Sequence, residues 1–103
     1  MMPDRAIDVR RTASGDPLAF EVTVRERGDE THHRVTLAKK DCDRLTRGGH
    51  SPEQCIDAAF RFLLDRESKE SILGRFDVGV ISRYFPEFER EFPRYLTHAD
   101  SRG

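Results

Sequence analysis

Apolar and polar residues alternate along two segments in the first half of the chain, 19–25 and 33–37. The apolar members of this alternation are Phe20, Val22, Val24, Val35 and Leu37. Because neighbouring side chains of a strand point to opposite faces of a sheet, the pattern predicts two strands that each bury one face. Gly28-Asp29 is a turn signal and predicts a hairpin with a loop of roughly four to six residues. A further strand is expected around 7–11, followed by a turn at Gly15-Asp16-Pro17.

The apolar spacing changes from that of a strand to that of a helix after Ala38. A short helix is expected over residues 39–47, with Cys42 and Leu45 facing inward. Gly48-Gly49 is predicted to end this helix, because glycine readily adopts the left-handed conformation that follows many helices.

The segment Ser51-Pro52-Glu53-Gln54 predicts the start of a second helix. Ser51 is suited to the N-cap, Pro52 to the first helical position, and Gln54 to the completion of a capping box. The helix is expected to run to about Glu67. Its polar residues form one narrow stripe, which consists of Glu53, Gln54, Asp57, Arg61 and Asp65. Apolar residues cover most of the remaining circumference, so we expect helix 52–66 to be covered on two or more sides.

Aromatic residues are concentrated near the end of the chain, in residues 84–95. Ile81, Phe85, Phe88, Phe92 and Tyr95 step by four, three, four and three, which places them on one helical face. Asp77 is expected to cap the helix before Pro86, and a last short helix is expected over 87–92, ended by Pro93. The segment 72–76 that precedes them is predicted to be an apolar linker.

Two interpretations of this aromatic face stay open. The candidate residues are Tyr84, Phe85, Phe88, Phe92 and Tyr95. They could close the core of the domain on the central helix, which we favour, or they could bind a partner, since aromatic anchors among charged residues suit an interface.

These elements together predict a single α+β domain over 1–103. An N-terminal antiparallel β-hairpin or three-stranded meander over 1–38 is followed by three to four helices over 39–96, packed around helix 52–66. Residues 97–103 are polar and are expected to form a frayed tail. Because a small sheet can hardly cover so many apolar side chains, we expect a homodimer.

Charge and cysteine content narrow the function classes. The net charge is −1, with ten basic and nine acidic residues in 1–47 and eight and ten in 48–103. This balance disfavours nucleic-acid binding through a general positive field, although a local basic patch remains allowed. Two cysteines are too few for a secreted disulfide scaffold, and we find neither a signal peptide nor an apolar stretch that could span a membrane. A cytoplasmic protein is the expectation.

Candidate catalytic chemistry is sparse. Cys42 or Cys55 with His50 is a conceivable nucleophilic pair, but Cys55 falls on the apolar side of the best-predicted helix, where a thiol is unreactive. No metal-ligand spacing of the CxxC or HxxxH kind is present, and no nucleotide-binding glycine loop or GxSxG motif. We therefore expect no enzyme activity, no metal and no cofactor. The favoured hypothesis is a small binding or adaptor domain that acts through protein–protein contacts, by self-association or with another protein.

A ribbon-helix-helix unit is the alternative. The run Arg34-Val35-Thr36-Leu37, helix 39–47, Gly48-Gly49-His50-Ser51 and helix 52–66 resembles that family. Its members pair one strand from each of two subunits and lay this ribbon in the major groove of DNA. The resemblance implies that His32, Arg34 and Thr36 face the bases. It also implies that Ser51, at the amino end of the second helix, holds a phosphate, as in a DNA-binding transcriptional regulator or an antitoxin-type protein.

The segment 76–88, with its run Ile81-Ser82-Arg83-Tyr84-Phe85-Pro86-Glu87-Phe88-Glu89, resembles a group of short, uncharacterised bacterial proteins when it is taken together with helix 51–67. No activity comes with this resemblance, so it implies no catalytic residues.

Overall fold

The computed structural model describes residues 5–99, and over these residues it has the predicted α+β architecture of a four-stranded sheet with helices on one face. The strands are β1 (Arg5–Ala13), β2 (Leu18–Glu26), β3 (Asp29–Leu37) and β4 (Arg75–Asp77). The helices are α1 (Lys39–Thr46), α2 (Pro52–Leu64), α3 (Ile81–Tyr84) and α4 (Phe88–Ala99), with 3₁₀ turns at Lys69–Ser71 and Val78–Val80.

The sheet extends the predicted meander by one strand. β1, β2 and β3 pair antiparallel in sequence order, as expected, and β4 pairs in parallel with β3. The short strand β4 overlaps the end of the segment 72–76, which was predicted to be a linker, and includes Asp77, which was predicted to cap a helix. It has three residues and a single apolar side chain, Phe76, so no alternation could reveal it.

The turn between β2 and β3 is shorter than predicted. Arg27 and Gly28 alone connect the strands, and their φ values of 57° and 79° are both positive. Two positive values in a two-residue loop are typical of a type I′ turn, whose twist matches that of the strands it joins. The strands therefore pair along their whole length, from Leu18 opposite Leu37 to Glu26 opposite Asp29.

The core lies between the inner face of the sheet and α2. The sheet contributes the buried side chains Leu18, Phe20, Val22, Val24, Val35 and Leu37. The helix contributes Cys55, Ile56, Ala58, Ala59, Phe60, Phe62, Leu63 and Leu64. α2 also packs against α4 on another side, which confirms that it is the central helix of the domain.

The start of α2 follows the prediction in detail. The Ser51 hydroxyl accepts a hydrogen bond from the Gln54 backbone N–H at 3.1 Å, and the Gln54 side chain accepts from the Ser51 N–H at 2.8 Å. Asp57 and Arg61, one turn apart on the polar stripe, form an ion pair with Arg61 Nε 2.9 Å from the carboxylate. The helix ends at Leu64 instead of Glu67. Arg66 then turns back over the Phe62 ring, with its guanidinium carbon 3.7 Å from the ring centre.

The last helix is longer than predicted. Pro93 was expected to end a helix over 87–92, but it lies inside α4, which continues to Ala99. Proline lacks a backbone N–H, so the helix forgoes one internal hydrogen bond at Pro93. Buried apolar contacts on both sides of it, Phe92 before and Leu96 after, favour continuation of the helix. The expected frayed tail therefore does not begin at residue 97, and its residues 100–103 lie outside the described part of the chain.

Candidate functional site

The outer face of the sheet is polar and carries balanced charge. Its arginines are Arg10, Arg25, Arg34 and Arg75, and its carboxylates are Asp8, Glu21, Glu30 and Asp77. They form cross-strand pairs, for example Arg10 with Glu21 and Arg25 with Asp8. A face with equal numbers of both charges offers no net attraction for a phosphate backbone.

β3 does not have the geometry of a DNA-reading ribbon. It lies inside the sheet, between β2 along its whole length and β4 at residues 34–36, so over 34–36 no edge is free to pair with a second subunit. His32, Arg34 and Thr36 do share the outer face, as the resemblance implied, but the Thr36 hydroxyl donates to Asp77 at 2.6 Å. The Ser51 hydroxyl is engaged in the α2 cap.

The candidate aromatic residues divide between core and surface. Phe88 and Phe92 lie in this chain's own core, with exposed fractions of 1% and 0%. Tyr95 is half-buried, and its hydroxyl donates to the Asp65 carboxylate at 2.6 Å, which raises the pKa of the tyrosine. Phe85 is also half-buried and contacts the Phe62 ring edge-on at 5.8 Å. Tyr84 remains 68% exposed.

A groove of about 390 Å³ opens beside Tyr84, between the end of α2, β4 and α3. We call it the β4–α3 groove. Its interior is apolar and is lined by Leu63, Ile72, Phe76, Val80, Ile81 and Phe85. Its outer margin carries Glu67, Ser71, Leu73 and Tyr84. Leu73 is 50% exposed, and across residues 5–96 it and Tyr84 are the large hydrophobic side chains that remain exposed.

Hydrogen bonds from the sheet hold one side of the groove in place. The Arg34 backbone N–H donates to the Gly74 carbonyl at 2.8 Å, and His33 Nδ1 lies 2.8 Å from the Leu73 carbonyl. Since a carbonyl only accepts, Nδ1 carries the proton. On the other side, the Asp77 carboxylate accepts from the Gly79 N–H at 2.8 Å and caps the turn that leads into α3, as predicted.

His33 is a buried residue that sequence analysis did not single out. It is only 3% exposed, and the centre of its ring lies 5.3 Å from that of Phe60. Its place on β3, two residues before Val35 on the same face, was the available signal. His32 points to the outer face and is exposed, so the two adjacent rings lie on opposite sides of the sheet.

Some charged side chains around the groove have an ion-pair partner within the described residues, and one does not. Arg66 is bonded to Glu87 at 3.0 Å, and Lys69 contacts Glu70 at 2.7 Å. The Glu67 carboxylate at the groove margin, by contrast, has no ion pair or side-chain hydrogen bond with any of residues 5–96. A partner with a positive charge could therefore reach it without displacing an existing contact.

A second cleft, about 240 Å³ in volume, contains three arginines but offers little free charge. Each arginine already has a carboxylate partner: Arg5 with Glu26, Arg61 with Asp57 and Arg94 with Glu91. This cleft is a network that joins β1, α2 and α4, and it lacks the unpaired cations expected of an anion site.

The two cysteines are buried thiols. Burial is the main cause that raises the pKa of Cys55, to about 12, and it also raises the pKa of Cys42. A thiol that stays protonated at neutral pH is a poor nucleophile. Among residues 5–99, no group of three His, Cys, Asp or Glu side chains is arranged to hold a metal ion.

No protein-family model, curated protein or solved structure matches this chain. The resemblance of segment 76–88 to a group of bacterial proteins therefore stays a prediction. Of the helices in the described range, none has the length and apolar character needed to cross a bilayer.

Proposed function

We propose that this domain binds a short segment of another protein in the β4–α3 groove. The observation that carries the proposal is that Leu73 and Tyr84, the large hydrophobic side chains exposed in the described part of the chain, both lie at the margin of the same apolar groove. Large apolar side chains exposed together around a concave surface mark interaction sites.

Size and charge specify the kind of partner. A groove of about 390 Å³ lies at the small end of ligand pockets and suits one or two apolar side chains. The unpaired carboxylate of Glu67 at its margin favours a lysine or arginine beside that anchor. The expected occupant is therefore a peptide segment with a large apolar residue next to a basic one.

A library of random peptides displayed on phage tests this proposal. Peptides selected on the wild-type protein, after depletion on the Leu73→Asp variant, should share an apolar residue beside Lys or Arg. In fluorescence anisotropy with one synthetic selected peptide, Tyr84→Ala should weaken binding by roughly tenfold or more, since truncating an anchor residue of an interface costs about 2 kcal/mol or more.

The charge requirement has a matched control. Glu67→Lys should weaken binding of the selected peptide, and a peptide whose basic residue is replaced by Glu should recover it. Asp43→Lys makes the same charge change on the exposed surface of α1 and should leave binding unchanged. If no peptide is enriched after depletion on Leu73→Asp, or if the enriched peptides bind Tyr84→Ala as tightly as the wild type, the groove is not the binding site.

A further inference from the structure

The sheet ends at β1 with a strand whose outer edge is unpaired within the described chain. β1 is nine residues long and pairs only with β2, through its inner edge. An extended strand with free backbone N–H and C=O groups is a template for another strand. This unpaired edge of β1 and the β4–α3 groove lie at opposite edges of the sheet.

The apolar face of the sheet continues to this edge. Ile7 and Val9 point to the inner face and pack against the core, yet both are only partly buried. They lie opposite Val24 and Val22 of β2, which are almost fully buried. The two side chains remain partly exposed at the edge of the sheet, and a neighbouring strand would cover them.

The charges on the outer face of β1 indicate what kind of strand could pair with its free edge. Asp8 and Arg10 project from this face at alternate positions, with Val9 between them on the other face. We propose that a second copy of this chain pairs antiparallel with β1 about a two-fold axis at Val9. In this register Asp8 of one copy lies opposite Arg10 of the other, twice, and Val9 lies opposite Val9.

The charges on β1 favour a two-fold axis at Val9 over an axis at either of its neighbours, Asp8 and Arg10. An axis at Asp8 would set Asp8 against Asp8 and Arg5 against Arg11, and an axis at Arg10 would set Arg10 against Arg10. Like charges directly opposite each other in a sheet are destabilising, whereas opposite charges are favourable. An edge protected against association would carry charges of one sign, whereas this edge complements itself.

The charge pattern of the proposed dimer continues one that is already present. Asp8 is paired with Arg25 and Arg10 with Glu21 inside each copy. Pairing across the axis adds two more contacts of the same kind. The ladder would extend over residues 7–11, because the pairing of β1 with β2 becomes irregular between Arg11 and Ala13.

The dimer would leave both proposed binding grooves accessible. β1 and β4 are the two outer strands of the sheet, so joining β1 edges forms one continuous eight-stranded sheet with a groove at each end. Two copies of the groove on one particle would bind a partner with two matching segments more tightly than one copy does. The inference does not depend on the groove, however, and its test uses the protein alone.

Charge exchange tests the register by sedimentation. The wild-type protein should be a dimer at tens of micromolar. Asp8→Arg and Arg10→Asp should each weaken the dimer about tenfold, because each replaces two opposite-charge pairs by like-charge pairs. The double variant restores opposite charges across the axis and should return to within about threefold of the wild type. A wild-type monomer, or single variants that dimerise as tightly as the wild type, would overturn the proposal.

A crosslink tests the same geometry without altering charge. Residues directly opposite each other in an antiparallel pair have Cα atoms about 4.5–5.5 Å apart, which a disulfide can bridge. Val9→Cys should therefore form a covalent dimer under mild oxidation, whereas Ile7→Cys, on the same face of the same strand, should not. The wild-type protein, whose two cysteines are buried, is the background control. A dimer that Ile7→Cys crosslinks and Val9→Cys does not would refute the Val9 axis.

Discussion

The apolar residues of α3 and α4 continue one helical spacing, but the two helices bury their aromatic side chains to different extents. In α4, Phe88 and Phe92 are buried against α2, and the Phe88 ring lies edge-on to Phe62 at 4.9 Å. In α3, Ile81 is buried, but Tyr84 projects to solvent beside the β4–α3 groove. The comparison shows that aromatic spacing identifies a helical face without telling which part of it reaches the core.

Pro86 explains the division. It ends α3 at Tyr84, because helical geometry is disfavoured for the residue before a proline, and Phe85 indeed adopts φ −130° and ψ 87°. The chain changes direction there, so α4 can lie along α2 while α3 remains at the end of the sheet. The part of the aromatic face in α4 is buried in the core, whereas Tyr84 of α3 remains exposed at the margin of the groove.

The largest effect is expected from Phe92→Ala. Phe92 is fully buried, so the loss of its ring and the cavity left behind should cost about 3–5 kcal/mol of unfolding free energy, measured by urea denaturation. Phe92→Leu keeps most of the apolar volume and should cost less than about 1.5 kcal/mol. If Phe92→Ala costs no more than a surface substitution, α4 is not part of the core and the comparison fails.

The rate at which a thiol reagent labels Cys55 is a second measure of how differently Phe92 and Tyr84 affect stability. Cys55 has no exposed surface and a pKa of about 12, so at pH 8 a thiol reagent reaches it as a thiolate only when the structure opens. Phe92→Ala should speed labelling of Cys55 by roughly a hundredfold to several thousandfold, since the open population follows the loss of stability. Tyr84→Ala should change the rate by no more than about twofold. Equal rates in both variants and the wild type would mean that Cys55 is exposed by a local motion instead.

Phe85→Ala should give an intermediate loss. The ring is half-buried, lines the groove and touches Phe62, so its removal should cost about 1–2 kcal/mol, measured by the same denaturation experiment. It should also weaken binding of a peptide selected on the groove. A stability loss as large as that of Phe92→Ala would place Phe85 with the core residues of α4.

Tyr84→Ala should have the smallest effect on stability and a large effect on binding. At 68% exposure its removal should change the unfolding free energy by no more than about 0.5 kcal/mol. Tyr84→Phe retains the ring and should retain most of the peptide affinity. A marked loss of stability from Tyr84→Ala would indicate that the tyrosine is structural and would weaken the proposed function.

Elements with a long, regular pattern could be predicted from the sequence. The alternation in β2 and β3, and the cap at Ser51 with the apolar surface of α2, each involve many residues that agree with one another. The identity of α2 as the central helix followed from its narrow polar stripe.

The groove could not be predicted, because it depends on contacts between distant segments. β4 becomes a strand only through pairing with β3, some forty residues earlier in the chain, and its sequence Arg75-Phe76-Asp77 has no strand pattern of its own. The continuation of α4 through Pro93 likewise depends on packing against α2, which overrides the local preference of proline.

The two-residue turn between β2 and β3 has a practical consequence for engineering. Arg27 adopts a left-handed conformation that is unfavourable for a residue with an ordinary side chain, whereas asparagine tolerates it and Asn-Gly is the preferred pair for such a turn. Arg27→Asn should therefore raise the melting temperature without touching the groove or the β1 edge. A stabilised parent of this kind would keep destabilised variants folded long enough for their binding to be measured.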